Sequence, residues 1–430
     1  MDNKRGGATS KKSGSIRFRT TMHNCVAYKV MTRRGWTEVH DDYDWDVFWA
    51  DVHALTQDGG FDFGKLLEHQ RVNHFPRHVE LTRKDLMVKN LKRAKRQLDK
   101  EGRGHEMDFF PQTYTLPQEY GLFAEEFRRS GGTWIMKPCG RAQGKGIFLL
   151  DKLSQVTKWR KEMEEKEKVE SWKDIYVVSR YLDNPLLIGG RKFDIRIYVL
   201  VISYSPLRVY LHRGGFCRFT SSRYNLTHDN IKDVYMHLTN VSIQKKADNY
   251  DRKTGMKWPM KNMKLYLASK FGMEKANRLF EDIQGIVTRS LLAVQHVVTQ
   301  DKHSFEIYGY DVLVDADLKP WLIEVNASPS FMTDTATDFK LKYNLVYDAL
   351  TLMDLENKLN GQLPPSLGGF DVIYDHGGAI QVHPSLPSML GCDIPNLNRI
   401  TKKGAKAEKR HLAEKAAKAH LEASMKCDSL

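Results

Sequence analysis

The residues best suited to chemistry lie in two apolar runs, Tyr310-Asp311-Val312-Leu313-Val314-Asp315 and Trp321-Leu322-Ile323-Glu324-Val325-Asn326-Ala327-Ser328-Pro329. A short polar connection from Asp315 to Pro320 separates them, the pattern of a β-hairpin. Pairing Asp315 with Pro320 sets Asp311 opposite Glu324. Side chains alternate faces along a strand, so Glu324, Asn326 and Asp311 share one face. Two carboxylates and an amide oxygen are hard ligands of the kind that hold Mg²⁺ and leave positions for phosphate oxygens. Taken alone, the hairpin is equally consistent with solvated surface acids.

Three further pieces could meet that face. Lys137-Pro138-Cys139-Gly140-Arg141-Ala142-Gln143-Gly144-Lys145-Gly146-Ile147 is a lysine followed by a glycine-rich loop. Its glycines allow backbone N–H groups close to phosphate oxygens, and its lysines neutralise them. The spacing is one residue short of a Walker A loop, the third glycine of a dinucleotide fingerprint is missing, and protein-kinase signatures are absent. A plain hairpin turn also fits this loop. In Gly189-Gly190-Arg191-Lys192-Phe193-Asp194-Ile195-Arg196-Ile197-Tyr198, strand geometry sends Lys192, Asp194, Arg196 and Tyr198 to one face. Three charges beside an apolar opposite face require counter-charges or a ligand, and an internal ion-pair ladder is the alternative. His237-Leu238-Thr239-Asn240 ends an apolar stretch with polar groups.

The elements that must position these residues are read from periodicity. Residues 1–21 are polar and basic and are expected to form a disordered arm. Folded sequence is expected from near Cys25, with strands around Gly35–Val39 and Trp45–Trp49. A helix is expected from a Thr82 N-cap, with Met87, Leu91, Ala94 and Leu98 inward and a lysine- and arginine-rich outer face. Gly102–Gly104 ends it. Strands are expected at Thr133–Lys137, Ile147–Leu150, Ile175–Leu182, Lys192–Tyr204 and Leu207–Arg213, with a charged helix or insertion at Lys158–Lys173. Leu279 through Val298 reads as a long amphipathic helix feeding the hairpin. Residues 401–430 hold eight Lys/Arg against four Asp/Glu and read as a basic tail.

Composition narrows the class. The chain of 430 residues carries a formal net charge of +14, which points to a polyanionic partner. No zinc-finger spacing or RNP-type aromatic motif supports nucleic acid. The five cysteines, Cys25, Cys139, Cys217, Cys392 and Cys427, are odd in number and form no Cys-x-x-Cys pair. A reducing, cytoplasmic setting fits them best. The longest apolar stretch, Ile195–Ser203, contains Arg196 and is too short to span a bilayer. The first residues show no apolar signal core, so no secretory signal is expected.

Together the pieces resemble the tubulin tyrosine ligase-like family. The carrying motifs are Trp134–Pro138, Gly144–Ile147, Arg191–Arg196, His237–Asn240, Tyr308–Asp311 and Trp321–Ser330. Asn73-His74-Phe75-Pro76 and Leu81–Met87 are similar to the polyglutamylase branch. The resemblance covers roughly residues 22–400. It implies an α/β (α+β) ATP-grasp ligase fold with the nucleotide between two β-rich lobes and an N-terminal α/β lobe. The implied divisions are 22–125, 126–185, 186–345 and a closing segment 346–400. It implies an ATP-dependent ligase that joins free L-glutamate to the γ-carboxylate of glutamates in acidic tubulin C-terminal tails, through an acyl phosphate.

The roles implied by the resemblance are as follows. Lys137 and Lys192 contact ATP phosphates beneath a closing loop containing Gln143 and Gly144. Backbone groups of Arg180, Tyr181, Leu182 and Asp183 read adenine, Phe193 and Asp194 lie on the ribose side, and Thr239 and Asn240 line the pocket. Two Mg²⁺ ions are held by Asp311, Glu324 and Asn326, and Arg196 acts with Lys137 and Glu324 at the transferring phosphoryl group. Arg218 and Lys257, the latter in a polar loop, hold the incoming glutamate, and Gln143 lies where the protein acceptor passes. Implied partners are microtubules and non-catalytic complex subunits, with no nucleic acid and no membrane. Implied locations are the cytoskeleton, the basal body of the cilium, and the axoneme or flagellum. A glycine ligase of the same family and a non-catalytic microtubule-associated protein are the rival readings.

Overall fold

The computed structural model describes residues 15–56, 60–141, 143–165, 175–227, 229–251 and 256–394. The first lobe comprises β1 (Arg17–Thr20), α1 (Val26–Arg33), β2 (Thr37–Glu38), β3 (Val47–Trp49), β4 (Arg71–Val72), α2 (Val79–Thr82) and α3 (Lys84–Lys100). Its strands form a parallel sheet in the order β2-β1-β3-β4. The strand β1 lies inside the stretch expected to be a disordered arm. Phe18 is fully buried there, and the basic residues beside it find acids later in the chain. Arg19 pairs with Asp42 at 2.7 Å, and the Arg17 guanidinium pairs with Asp44 and lies 3.7 Å from Asp46, which also accepts from the Arg17 backbone N–H at 2.7 Å. Residues 1–14 and 395–430, and with them most of the expected arm and tail, lie outside the described residues.

Thr82 does not cap the long helix as expected. It closes α2, its hydroxyl donating back to the His78 carbonyl at 3.2 Å. The long helix α3 begins at Lys84, after Arg83, whose guanidinium pairs with Asp85 at 2.7 Å. The extended backbone at Arg83 is what re-aims Lys84 into the cleft described below.

A second lobe contains β5 (Thr113–Leu116), α4 (Tyr120–Ser130), β6 (Trp134–Pro138), β7 (Phe148–Leu150), α5 (Leu153–Glu165) and β8 (Tyr176–Arg180). Its antiparallel sheet runs β5-β8-β6-β7, over a core of Leu116, Phe123, Trp134, Met136, Leu150, Val156 and Val178. Of the expected helix at 158–173, residues up to Glu165 continue a helix that starts at Leu153, and 166–173 lie outside the described residues.

The third lobe holds β9 (Leu187–Ile188), β10 (Arg191–Tyr204), β11 (Leu207–Phe219), α6 (Val234–His237), α7 (Val241–Gln244), β12 (Lys257–Pro259) and α8 (Met260–Phe271). It continues with α9 (Met273–Val294), β13 (Glu306–Val314), β14 (Pro320–Asn326), α10 (Ala336–Leu352), β15 (Ser366–Leu367), β16 (Phe370–Asp375) and β17 (Gly378–Ala379). Its sheet follows β14-β13-β10-β11-β16-β15, with β9, β12 and β17 attached. Ile195, Ile197, Val199 and Tyr310 pack toward Leu279, Ile283, Ile286 and Leu291 of α9. On the opposite face Tyr198, Leu200 and Tyr210 meet Leu345, Val346 and Ala349 of α10. A strand buried on both faces reads as a continuous apolar run, which is the pattern of 197–202. The limit expected at 345/346 falls inside α10, and the segment after it supplies β16, which pairs with β11.

Among the described residues no helix is long and apolar enough to cross a membrane.

Candidate active site

Strand register gathers the chemistry-bearing residues on the cleft-facing end of one sheet face. Across β12, β11 and β10, Lys257 pairs with Arg218 and Arg218 with Asp194. One step along, Arg196 pairs with Asp311 and Asp311 with Glu324. Tyr198 pairs with Gly309, and Gly309 with Asn326. Directly opposed residues point the same way, so these side chains form a continuous polar field. The expected pairing of Asp311 with Glu324 holds, although the pairing near the turn is displaced: Val314, not Asp315, faces Pro320. A bulge at Ile323 absorbs that one-residue slip before it reaches Glu324. Gly309 leaves the space that the Arg196 side chain occupies. A Cβ there would stand 3.4 Å from Arg196 Cδ and 2.9 Å from Pro329 Cβ.

The ion-pair ladder that was the alternative reading is present, and it is built into the site. Arg196 grips Asp311 with two N–H groups, one of them at 3.0 Å. Arg218 holds Asp194, with one N–H at 2.8 Å, and reaches Asp311 at 2.8 Å. Burial pushes the Asp311 carboxyl up, and the two guanidiniums oppose it. Glu324 behaves differently. Burial alone would raise it, but Lys84 and Lys137 outweigh burial and hold it well below the usual carboxylate range. Lys84 Nζ is 3.1 Å from Glu324. The attraction of Glu324 raises the Lys84 pKa against burial. Asn326 donates through Nδ2 to the Gly309 carbonyl at 3.2 Å and, more distantly, to Glu324 Oε1 at 3.5 Å.

Lys84 was not singled out from sequence. The signal was present in Leu81-Thr-Arg-Lys-Asp-Leu-Met87, but its lysine was indistinguishable from those of the basic outer face.

Between the small sheet β5–β8 and the large sheet lies a cavity of about 90 Å³. Its walls include Lys137, Arg180–Leu182, Lys192, Asp194, Arg218, Thr239, Asn240, Asp311 and Glu324. Both lysines here are displaced from ordinary behaviour: burial lowers Lys137 to about 8 and Lys192 to about 7. Several expected residues stand apart from the cavity. The Phe193 side chain faces the other way, into the α9 side of the core against Phe219. Asp183 offers its carbonyl to Tyr224 at 2.8 Å and does not line the cavity. Arg180 does line the cavity, but its guanidinium lies over the Trp134 ring, 5.4 Å from its centroid. Gln143 is exposed with a left-handed backbone (φ 62°) and accepts from Ser242 at 2.9 Å, which holds the glycine-rich loop against α7. Gly144 sits in the same loop beside Asn240, where a Cβ would meet Ile243 Cδ1 at 2.5 Å.

Lys257 lies in the edge strand β12, not in a loop as expected, because its backbone completes the ladder to Arg218. Its ammonium is 3.0 Å from Asp338 and 3.2 Å from Asp334. Lys342, one turn along α10, shares Asp338 at 3.2 Å and is lowered to about 8 by burial. Phe216 and the fully buried Tyr198, whose hydroxyl has no hydrogen-bond partner among the described residues, complete this cationic corner. A larger cavity of about 380 Å³ opens next to Lys257, bounded by Phe216, Met260, Leu341 and Ile394.

Comparison with known proteins gives a consistent picture. Residues 64–360 match the model of the tubulin-tyrosine ligase family. A Bos taurus protein named probable tubulin polyglutamylase TTLL9 is 45% identical over 402 residues, covering 86% of this chain and 86% of its own length. A Tetrahymena thermophila protein, probable alpha-tubulin polyglutamylase Ttll1, is 44% identical over 386 residues, covering 84% of this chain and 94% of its own. The Homo sapiens tubulin polyglutamylase TTLL5 is 36% identical over 340 residues, covering 75% of this chain and 25% of its own.

Proposed function

Because the chain belongs to the tubulin-tyrosine ligase family, we propose that it is a tubulin polyglutamylase, a ligase that adds glutamate to tubulin using ATP. The observation that carries this reading is the single sheet face on which Asp194, Arg196, Arg218, Asp311, Glu324 and Asn326 meet Lys84 and Lys137 from other lobes. A field of fixed, mostly buried cations and acids is costly to fold and suited to a polyphosphate that moves charge during reaction. The cleft between two β-rich lobes supports an ATP-grasp arrangement. Lys137 and Lys192 are the phosphate contacts in this reading, and the backbone at Arg180–Leu182 with Thr239 and Asn240 holds the nucleoside.

The donor set of Asp311, Glu324 and Asn326 fits Mg²⁺ by chemistry and by placement: two carboxylates and an amide on one sheet face, where a turn of the Asn326 amide would present its oxygen. Mg²⁺, when bound, supplies positive charge to phosphate oxygens. Arg196 stands beside that set and stabilises negative charge on the group being transferred. A carboxylate is a poor acyl donor. Its oxygen takes the γ-phosphoryl group with loss of ADP, and the amine of free glutamate then displaces phosphate to form the isopeptide bond.

The two carboxylates of the incoming glutamate call for cations. Arg218 is committed to Asp194 and Asp311, while Lys257 and Lys342 share Asp338 and Lys257 also meets Asp334; in this reading the two lysines form the clamp, and Asp334 and Asp338 are the groups displaced. A net charge of +14 draws acidic tubulin tails toward the protein. Gln143, exposed on the glycine-rich loop, is the acceptor contact in this reading. Family membership also supports a cytoskeletal setting, with basal bodies and axonemes as expected sites.

The test is incorporation of labelled glutamate into tubulin with and without ATP, alone and with complex subunits. Incorporation that requires ATP and is abolished by Glu324→Gln is expected. No incorporation under any of these conditions would sink the reading.

A further inference from the structure

Lys192 enters the cleft without a carboxylate. Its side chain is 4% exposed, and among the described residues no acid lies within ion-pair distance of its ammonium. Its hydrogen-bond partner is neutral: Nζ donates to the Tyr181 hydroxyl at 2.9 Å and lies 4.4 Å from the centre of that ring. The same hydroxyl is 2.9 Å from His237 Nδ1, and His237 Nε2 is 3.0 Å from the Asn230 carbonyl.

The polarity of this chain follows from its ends. A carbonyl can only accept, so His237 carries its proton on Nε2 and presents Nδ1 as an acceptor. Tyr181 must then donate to His237, which turns its oxygen lone pairs toward Lys192. An ammonium can only donate, so the chain closes without conflict. Burial keeps His237 neutral, lowering its pKa, and so sustains this direction.

From this geometry we infer that Tyr181 and His237 are positioning residues. They hold the Lys192 amine in the cleft with no carboxylate partner and favour its charged form, so that a nucleotide phosphate can supply the missing anion. The inference rests on the nucleotide reading above and adds side-chain roles for Tyr181 and His237 to it.

A consequence is pH-sensitive nucleotide capture. The groups facing Lys192 are Lys137 from β6, Asp194 on its own strand, and Tyr181, Tyr224 and His237 from the adjoining segments. Burial and Lys137 both lower Lys192, to about 7, against the attraction of Asp194. The Tyr181 oxygen stabilises the charged form, and its removal lowers Lys192 further.

The experiment is calorimetric titration of the full chain with ATP and Mg²⁺ from pH 5.5 to 8, comparing wild type with Tyr181→Phe. If the loss of one acceptor lowers Lys192 by roughly one unit, the variant binds ATP about eightfold more weakly at pH 7.5 and less than twofold more weakly at pH 5.5. In turnover the loss falls mainly on KM for ATP. Comparing two pH values within each protein separates this from partial unfolding, which would weaken binding at both. An affinity ratio that is the same at both pH values overturns the inference while leaving nucleotide binding intact. No binding of ATP by the wild type at any pH overturns the nucleotide reading and this inference with it.

Discussion

Replacing Lys84 with methionine isolates the contact that couples the first lobe to the proposed metal end of the cleft. Lys84 and Glu324 are 3.1 Å apart, with side chains 16% and 20% exposed. Removing one partner of a fully buried pair costs about 3–5 kcal/mol, because the other charge is left without compensation. Here Lys137 remains nearby and both side chains are partly exposed, so the expected cost falls to about 1–3 kcal/mol. Urea unfolding at pH 7 measures it. The pair-specific part comes from a cycle with Glu324→Gln: adding Lys84→Met to that background should cost well under half of its effect in wild type.

The pH dependence has a definite sign. The folded Glu324 pKa is depressed, so its contribution to stability is full above the unfolded value near 4.3 and is lost as pH falls through the folded value. In Lys84→Met the folded value rises toward the unfolded one, and the acid-dependent loss contributed by this group shrinks. Equal destabilisation by Lys84→Met in the wild-type and Glu324→Gln backgrounds, with an unchanged acid profile, would refute the view that this ion pair joins the lobes.

Two further substitutions probe the same face. Gly309→Ala drives a Cβ into Pro329 and against Arg196, so we expect a loss of about 1–3 kcal/mol in stability and a fall in kcat, followed by denaturation and single-turnover assays. Lys342→Met removes one cation of the proposed clamp. KM for glutamate should rise roughly tenfold or more while the calorimetric affinity for ATP stays near wild type, since a charge-assisted hydrogen bond contributes about 1.5–3 kcal/mol.

Local pattern carried much of this site. Alternation along 311–326 and 192–198 is a property of the strand itself, so the shared face of Asp311, Glu324 and Asn326, and that of Lys192, Asp194 and Arg196, could be read directly. The glycine-rich loop and the strands β6, β7, β8, β10, β11, β13 and β14 were legible for the same reason, whereas β5, β9, β12 and β15–β17 were not. The arm that turned out to hold β1 was misread because the basic residues Arg17 and Arg19 are neutralised by Asp44, Asp46 and Asp42, acids more than twenty residues away. The helix start was misplaced because Thr82 satisfies a carbonyl in the preceding turn rather than capping the next one.

Other features exist only after folding. The slip between Val314 and Asp311 depends on a bulge that period-two reasoning does not encode. Lys84 reaches Glu324 across 240 positions of sequence, Lys342 shares Asp338 with Lys257, and Tyr181 meets both Lys192 and His237. By itself the sequence determined which residues share a strand face, because side-chain direction repeats every two residues whatever surrounds the strand. Which cation answers which carboxylate, and which lysine is left waiting for an anion, was decided by tertiary packing, since burial and distance between remote segments set those charges.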